Sequence, residues 1–499
     1  MLDQSFSYEN FRILLDVENR KGRYLEDSTF FENDPFDKSR DCSKLIIDKN
    51  QEIKDESLKV FSSNNSRNRN FTKLDKLKEE KEELKVQREE ILEKILVEIA
   101  EKTDEDSYEL KIKKGQVKWG KQLYEIEHNP ENYFVTKQLQ RNIYKTFNVK
   151  QASRKTVINQ LRLLLDDGFP KIIIRTDIKN FYESIPHKEL LAIIEENTLL
   201  SYPSKKIIRS VLNQYWNILI SDGIKTVADE RSGIPRGIGF SAYLSELYLR
   251  HFDNKIRSLK YATFYTRYVD DIIIIITPKN RELVKSKQSY VNNIKKILFN
   301  STRLKLNVNK TEFLNLTRKN AERKKTQHYI FTYLGYKFKL SYSKKGKNDK
   351  DKTSITKDKL QIFMSDDKLQ RYKNKIDTSF NDYQTNLIKY VNSKNSTERM
   401  LFKRLRFLTK NHRLFRRKSN VFIGVYFSNE FLTEPYSDLI ELDEYLKKRI
   451  TDLPTTTNVK LRAKLNLLSF VEGFRTKSII RFDINSFKNG KMNKIWKGL

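Results

Sequence analysis

The sequence predicts an α+β fold, and three observations carry that prediction. Two apolar, β-rich arms, Thr263 to Arg267 and Ile272 to Ile276, enclose Tyr268-Val269-Asp270-Asp271 and read as a hairpin with both carboxylates at its tip. The run Lys171 to Ile178 is short and rich in β-branched residues, as a buried strand is, and it reaches Asp177 just before Lys179-Asn180-Phe181-Tyr182. Helical spacing appears elsewhere. His187 to Asn197 follows the break at Pro186, and Ser241 to Arg250 carries Leu244, Leu247 and Tyr248 on one face. Residues 72–102 are long and charged, with Leu74, Leu77, Leu84, Ile91, Ile95 and Ile99 near one stripe.

The acids point to chemistry. Two carboxylates at a tight turn repel each other unless a cation lies between them, and hard oxygen ligands suit Mg²⁺. A solvated Asp-Asp turn accommodates the same residues, so the pair alone decides nothing. Asp177 adds weight, because an acid at the end of a buried strand is costly unless paired or bound to metal. A helix N-cap would explain Asp177 but not the downstream pair. If strand 171–178 lies beside the 263–276 hairpin, Asp177, Asp270 and Asp271 supply the acids of a two-metal nucleotidyl-transfer site.

Gly233-Ile-Pro-Arg-Gly-Ile-Gly239 holds three of the chain's fourteen glycines. Glycine permits close backbone approach and unusual φ/ψ. A Gly-rich turn opening a helix at Ser241 can cradle a phosphate, although a plain turn reads equally well.

In chain order these pieces resemble the reverse transcriptases. Thr176-Asp-Ile-Lys-Asn-Phe-Tyr-Glu-Ser-Ile185 is similar to motif A, Gly233-Ile-Pro-Arg-Gly237 with Ser241 to motif B, and Tyr268-Val-Asp-Asp271 to motif C. Leu306-Asn-Val-Asn-Lys310-Thr311 resembles motif D, and Phe331-Thr-Tyr-Leu-Gly335-Tyr336 resembles motif E, the primer grip. Upstream, Thr136-Lys137-Gln-Leu-Gln-Arg141 and Val149-Lys-Gln-Ala-Ser-Arg154 resemble the fingers segment that meets the incoming triphosphate. The likeness covers roughly residues 130–340. The wording at Val149-Lys-Gln, Arg154 and Ile423-Gly-Val-Tyr-Phe-Ser-Asn429 with Leu432 is similar to the bacterial abortive-infection, defence-associated branch. Motif B normally reads Pro-Gln-Gly; here Arg236 replaces the glutamine, which puts template handling in question.

The resemblance implies a right-hand polymerase fold, with fingers, an antiparallel palm sheet flanked by helices, and a mainly helical thumb or C-terminal extension. It implies an RNA-directed DNA polymerase using dNTPs, in phage defence. Asp177 and Asp270 would bridge two Mg²⁺ ions, Mn²⁺ being an acceptable substitute, with the Ile178 carbonyl as a further ligand and Asp271 beside them. Lys137, Arg141, Tyr182, Gly237 and Lys310 are expected at the dNTP. Lys310 is the candidate proton donor to pyrophosphate, although a plain surface lysine fits the same position. Arg236, Tyr268, Leu334, Gly335, Tyr336, Arg404 and Arg413 are expected at template and primer. Tyr182, five residues after Asp177, places an aromatic ring where it would clash with a ribose 2′-hydroxyl, so dNTPs are favoured. RNA-dependent RNA polymerases tend to carry an acid there and Gly-Asp-Asp in motif C. Untemplated or protein-primed synthesis stays open, with no priming tyrosine selected, as does a vestigial nucleic-acid-binding scaffold.

Composition agrees with a nucleic-acid partner: an RNA template, a dedicated noncoding RNA, a DNA product. Lys plus Arg number 98 against 65 Asp plus Glu, a net charge of +33. A genome biased toward A and T raises Lys, Asn and Ile together but does not unbalance acids and bases so far. The chain is 38% hydrophobic with 30 Phe and 25 Tyr, enough for a sizeable core. Cys42 alone excludes an intrachain disulfide, and one cysteine with five histidines is no zinc set. With no secretory segment at Met1 to Asp16 the chain reads as cytoplasmic, and five isoleucines in a row are far short of a membrane span. Association with itself or a partner protein is left open.

Three segments follow. Residues 1–125 form an N-terminal extension, polar over 1–70 with a flexible loop at Ser62 to Asn70, then the charged helix. That helix reads better as amphipathic against the fingers than as a coiled-coil arm, because its heptad drifts. Residues 126–340 form fingers and palm. Residues 341–499 form the helical thumb or extension, opening on a basic loop at Ser341 to Lys352. Within it, Leu401 to Lys418 reads as one basic helix with eight Lys or Arg and with Leu401, Leu405, Leu408 and Phe415 on one face. It suits a duplex backbone, or simply solvent.

Overall fold

The computed structural model describes residues 2–62, 71–118, 120–167, 169–196, 198–279, 285–316, 326–345, 354–357, 360–389, 394–416, 419–455, 457–481, 492 and 494–496. In chain order the elements begin with helices α1 (Tyr8–Arg20), α2 (Asp37–Ser62) and α3 (Thr72–Asp104), the strands β1 (Ile112–Lys118) and β2 (Lys121–Ile126), and helices α4 (Pro130–Phe147) and α5 (Arg154–Asp166). Then come β3 (Ile172–Asp177), α6 (Phe181–Ser184), α7 (His187–Glu196), α8 (Tyr202–Ser221), α9 (Ser241–Arg257), β4 (Ala262–Tyr268), β5 (Asp271–Ile276), α10 (Lys287–Thr302) and β6 (Glu312–Asn315). The remainder is β7 (Thr326–Tyr333), β8 (Tyr336–Lys345), β9 (Ser354–Lys357), β10 (Gln361–Met364), α11 (Asp366–Lys389), α12 (Lys394–Thr409), β11 (Asn411–Arg416), β12 (Ser419–Gly424), α13 (Ser437–Thr451), α14 (Val459–Asn466), α15 (Phe470–Thr476) and β13 (Ile479–Ile480). The α+β expectation holds, with antiparallel pairing throughout except between β11 and β13.

The chain folds as two compact units. One comprises Met1–Gln151 and Asn180–Arg250, the other Ala152–Lys179 and His251–Leu499. In the first, α1 buries Phe11, Leu14 and Leu15 at i, i+3, i+4 spacing, and Glu18 at i+7 goes in with them. Together with Leu92, Leu96 and Ile99 of α3 and Phe134 and Val135 of α4 these residues form one core. The charged helix is therefore amphipathic and packs on α1, α2 and α4. Of the expected stripe Leu74 and Ile99 are buried and Leu77, Leu84, Ile91 and Ile95 half-buried; the other buried positions are Leu92 and Leu96, one residue on from Ile91 and Ile95. Residues 1–62, read from sequence as merely polar, hold α1 and α2; the expected loop at Ser62 to Asn70 lies outside the described residues from 63 onward.

In the second unit the strand order β4-β5-β3-β6 places β3 inside its sheet. Ile172, Ile173 and Ile174 oppose Ile276, Ile275 and Ile274 of β5, and all six are essentially buried. Both faces are covered, which is why these strands read as continuous apolar runs rather than alternating ones. On one face Ile173, Ile273 and Ile275 join a core with α5, with β7, β8 and β10, and with the helices after residue 394.

Two expectations for the C-terminal part are corrected. The basic loop at 341–352 begins as strand, since β8 runs to Lys345; residues 346–353 lie outside the described residues. The helix expected over 401–418 ends at Thr409 and is followed by β11. Asn411 causes the change. Its side chain donates to the Gly473 carbonyl at 2.9 Å and accepts from the Tyr426 amide at 2.8 Å, bonds a helix would not allow. Leu401, Leu405 and Leu408 do share a buried face. The region is mainly helical, with β10 to β13 interleaved.

Ile174→Ala removes buried methyl groups from the inner strand. The protein should lose about 2–5 kcal/mol of unfolding free energy, measured by urea denaturation, with the slope unchanged.

Candidate active site

Strand register assembles the acids. Asp177 ends β3 and is the Cα partner of Asp271, the first residue of β5. Directly opposed residues project from the same face, so the side chains of Asp177 and Asp271 share it with Arg175, two residues back. Asp270 lies in the turn between β4 and β5, and its carbonyl accepts the Ile178 amide at 3.2 Å. On its other side β3 continues along the 306 segment: Lys179 N donates to Lys305 O at 2.9 Å, and Asn307 N donates to Asp177 O at 2.8 Å.

The turn is strained. Val269 has φ of +60°, costly for a β-branched residue, on the order of 1–3 kcal/mol. Arg267 holds it there by donating to the Val269 carbonyl at 2.7 Å. The same buried guanidinium forks onto Asp253 at 3.1 and 3.0 Å, and Asp253 also accepts the Tyr265 hydroxyl at 2.5 Å. The Asp270 position is thus braced from inside the sheet.

The electrostatics of the acids are uneven. The Asp271 carboxyl is pushed up to about 6, chiefly by burial; Arg175 opposes the rise, and Asp270 and Asp177 add to it. Arg175 lies 3.3 Å from one Asp271 oxygen and donates to Glu312 at 3.0 Å. Lys310 Nζ is 3.3 Å from Asp177 Oδ2, while the buried Asp177 Oδ1 has no hydrogen-bond partner. Among the described residues no three His, Cys, Asp or Glu side chains gather closely enough to hold a metal ion as they stand. The donor chemistry nevertheless fits divalent cations. One carboxylate oxygen is buried and unpaired, an ammonium stands beside the other, and burial drives a second acid toward protonation.

In the other unit Tyr182 lies beside the motif B turn. The Ile234 amide donates to the Tyr182 carbonyl at 2.8 Å, and the Gly233 amide to the Ile185 carbonyl at 2.8 Å. His187 Nε2 is 2.7 Å from the Gly233 carbonyl, and burial pulls the pKa of this imidazole down, so the neutral ring donates there. Gly233 and Gly237 have φ near +100°, and a Cβ at 237 would sit 2.6 Å from the Tyr124 carbonyl. Arg236 forks onto Glu183 at 2.9 and 3.1 Å with its guanidinium 4.6 Å from the centre of the Tyr182 ring. On α4, Lys137 and Arg141 are one turn apart. Lys137 Nζ lies 3.8 Å from the buried Glu18 carboxylate, which also holds Lys21 and Arg23, and Arg141 donates to Asn10 at 3.0 Å. Both expected triphosphate ligands therefore face α1.

Residues 132–338 match the family model of the reverse transcriptases (RNA-dependent DNA polymerases). Reverse transcriptases are nucleotidyltransferases, and such domains work with divalent metal ions. Solved structures similar to this chain include apo telomerase from Candida tropicalis truncated from its C-terminal domain, 13% identical, with 46% of this chain covered and a TM-score of 0.30. Telomerase from Candida albicans in complex with a TWJ fragment of telomeric RNA is 14% identical, with 72% covered and a TM-score of 0.29. The chain spans 53% and 56% of those two telomerase chains. No curated protein sequence matches it.

The residues expected at template and primer have these places. Leu334 and Gly335 form the β7–β8 turn, both at positive φ, and Arg154 donates twice to the Leu334 carbonyl, at 2.9 and 2.7 Å. Tyr336 points inward, its hydroxyl donating to the Ser428 carbonyl at 3.3 Å. Tyr268 closes β4 opposite Asp271. Arg404 was expected at a nucleic-acid backbone; it is only 4% exposed, ion-paired with Asp382 and bonded to the Met492 carbonyl at 3.1 Å, so it fastens the interior instead. Arg413 is on a strand rather than a helix, over the Phe422 ring. Sequence reasoning missed Arg175, Glu183 and Glu18. Arg175 was readable, since period two puts it on the face of Asp177; the other two had no signal of their own.

Mg²⁺ or Mn²⁺ should raise the thermal midpoint of the isolated protein, because a cation bound only by the folded state stabilises it. Asp177→Asn should abolish that rise. Differential scanning fluorimetry with and without chelator reads both.

Proposed function

We propose that this chain is a DNA polymerase that extends a primer with dNTPs on an RNA template by two-metal nucleotidyl transfer. The supporting observation is the register that sets Asp177 against Asp271 next to the Asp270 turn, with one Asp177 oxygen buried and unpaired. Divalent cations at Asp177 and Asp270, with the Ile178 carbonyl, would make the primer hydroxyl more acidic and screen the departing pyrophosphate. Arg175 orients Asp271 and opposes its protonation, so this acid would shape the site without carrying the whole metal load. Lys310 Nζ, beside Asp177, would give its proton to pyrophosphate. Lys137 and Arg141 would bind the triphosphate by exchanging Glu18 and Asn10 for phosphate oxygens, where charge builds in the transition state. Tyr182 would lie under the ribose and exclude a 2′-hydroxyl. The net charge of +33 suits the polyanions involved, and no described helix is long and apolar enough to cross a membrane. A role in antiphage defence rests on the wording at Val149 to Arg154 and at Ile423 to Asn429.

Purified protein, with any RNA it carries, is incubated with labelled dNTPs and NTPs, singly and together, with Mg²⁺ or Mn²⁺, and the product is sequenced. dNTPs should be incorporated, and Asp177→Asn or Asp270→Asn should reduce the rate by about 100-fold or more. Incorporation of NTPs alone, or full activity in Asp177→Asn, would contradict the assignment. A homopolymer made without added template would replace the templated reading with an untemplated one.

A further inference from the structure

We infer that Arg236, together with Glu183, positions the Tyr182 ring and so sets how strictly the enzyme chooses the sugar of its substrate. The inference rests on the proposed place of Tyr182 under the ribose and extends it to a residue that would otherwise be assigned to the template.

Three features fix Arg236. Its guanidinium makes a two-point fork with Glu183, Nε to Oε1 at 2.9 Å and Nη2 to Oε2 at 3.1 Å. Its Cζ lies over the Tyr182 ring, 4.6 Å from the centroid. Its carbonyl accepts the Tyr124 amide at 2.6 Å, just before Gly237 turns the chain at φ of +100°. A planar cation held at both its edge and its face has little freedom left. Burial opposes ionisation of Glu183, but Arg236 and Lys121, 3.5 Å away, bring its carboxyl below the usual range, so the fork stays charged.

The ring is enclosed in turn. Its backbone is pinned by Ile234, Phe181 meets it edge-on at 5.4 Å, and the Tyr182 hydroxyl reaches Ser245 Oγ at 3.5 Å. One face carries a cation whose attraction to the π cloud is strongest when partly desolvated; the Arg236 side chain is 26% exposed. A residue that excludes a hydroxyl by contact must not yield, and its stiffness depends on what backs it. Glutamine at 236 has neither the charge nor the five-donor fork to do this. The guanidinium is thus committed to Glu183 and Tyr182, where a template-reading arginine would offer it outward.

The test compares kcat/KM for one dNTP and its matching NTP in wild type, Tyr182→Val, Arg236→Gln, Arg236→Lys, Glu183→Gln and the Arg236→Gln/Glu183→Gln double variant. Tyr182→Val should relax discrimination most. Arg236→Gln should relax it by about tenfold, mainly by lowering KM for the NTP while kcat for the dNTP changes little. Arg236→Lys keeps a cation above the ring but loses the fork and should fall between. Glu183→Gln should shift in the same direction, and the double variant should be no worse than Arg236→Gln, because the two act as one unit. Arg236→Lys and Glu183→Gln carry the test if Arg236→Gln does not fold. Discrimination at the wild-type level in these variants, beside a relaxed Tyr182→Val, would overturn the inference and leave the polymerase reading intact. An unrelaxed Tyr182→Val would show that the ring does not face the ribose, and both would fall.

Discussion

The antiparallel pairing of β3 with β5 is the constraint on which the rest depends. It brings Asp177 beside a pair of acids almost a hundred residues away in the chain, and it does so through isoleucines packed against isoleucines. Because side chains alternate along a strand, a slip of one residue would turn Asp177 and Arg175 to the opposite face. The hydrophobic register and the acidic site are therefore one specification. Burial on both faces fixes the register, and the register fixes the carboxylates.

Charges that the apolar packing would not tolerate alone are held by arginines. Arg175 joins Asp271 to Glu312 across three strands, and Arg267 ties Asp253 to the carbonyl of the strained Val269. Arg236 does the same for Glu183 in the other unit. Each is a planar cation with at least two acceptors, which suits half-buried positions where a lysine would be under-satisfied. A strongly basic protein thus commits part of its positive charge internally, and its 98 Lys and Arg, rather than its net charge, overstate the surface available to nucleic acid.

Much of this was legible in the residues. Unbroken β-branched runs placed the strands, the Asp-Asp pair marked the hairpin turn, with Asp270 in it and Asp271 opening β5, and the apolar stripe marked α3 as amphipathic while missing Leu92 and Leu96. Other features were hidden for definable reasons. In α1 the apolar positions Phe11, Leu14 and Leu15 are diluted by polar neighbours, so composition masked the period. Past Thr409 a continuing run of basic and apolar residues looks helical, and only the side-chain bonds of Asn411 show why the helix stops. The burial of Arg404 depends on Asp382, a partner that no local pattern announces. Lys137 and Arg141 were readable as cations on one helix face, but the carboxylate and amide opposite them come from a helix that composition had concealed.

The central claim is that Asp177 and Asp270 share divalent cations. Anomalous diffraction from crystals soaked in Mn²⁺ tests it most directly. The account predicts a peak within coordination distance, about 2.0–2.2 Å, of carboxylate oxygens from both residues, and its loss in Asp177→Asn crystals. A fully occupied Mn²⁺ site elsewhere, with Asp177 still turned to Lys310 and Asp271 to Arg175, would contradict it.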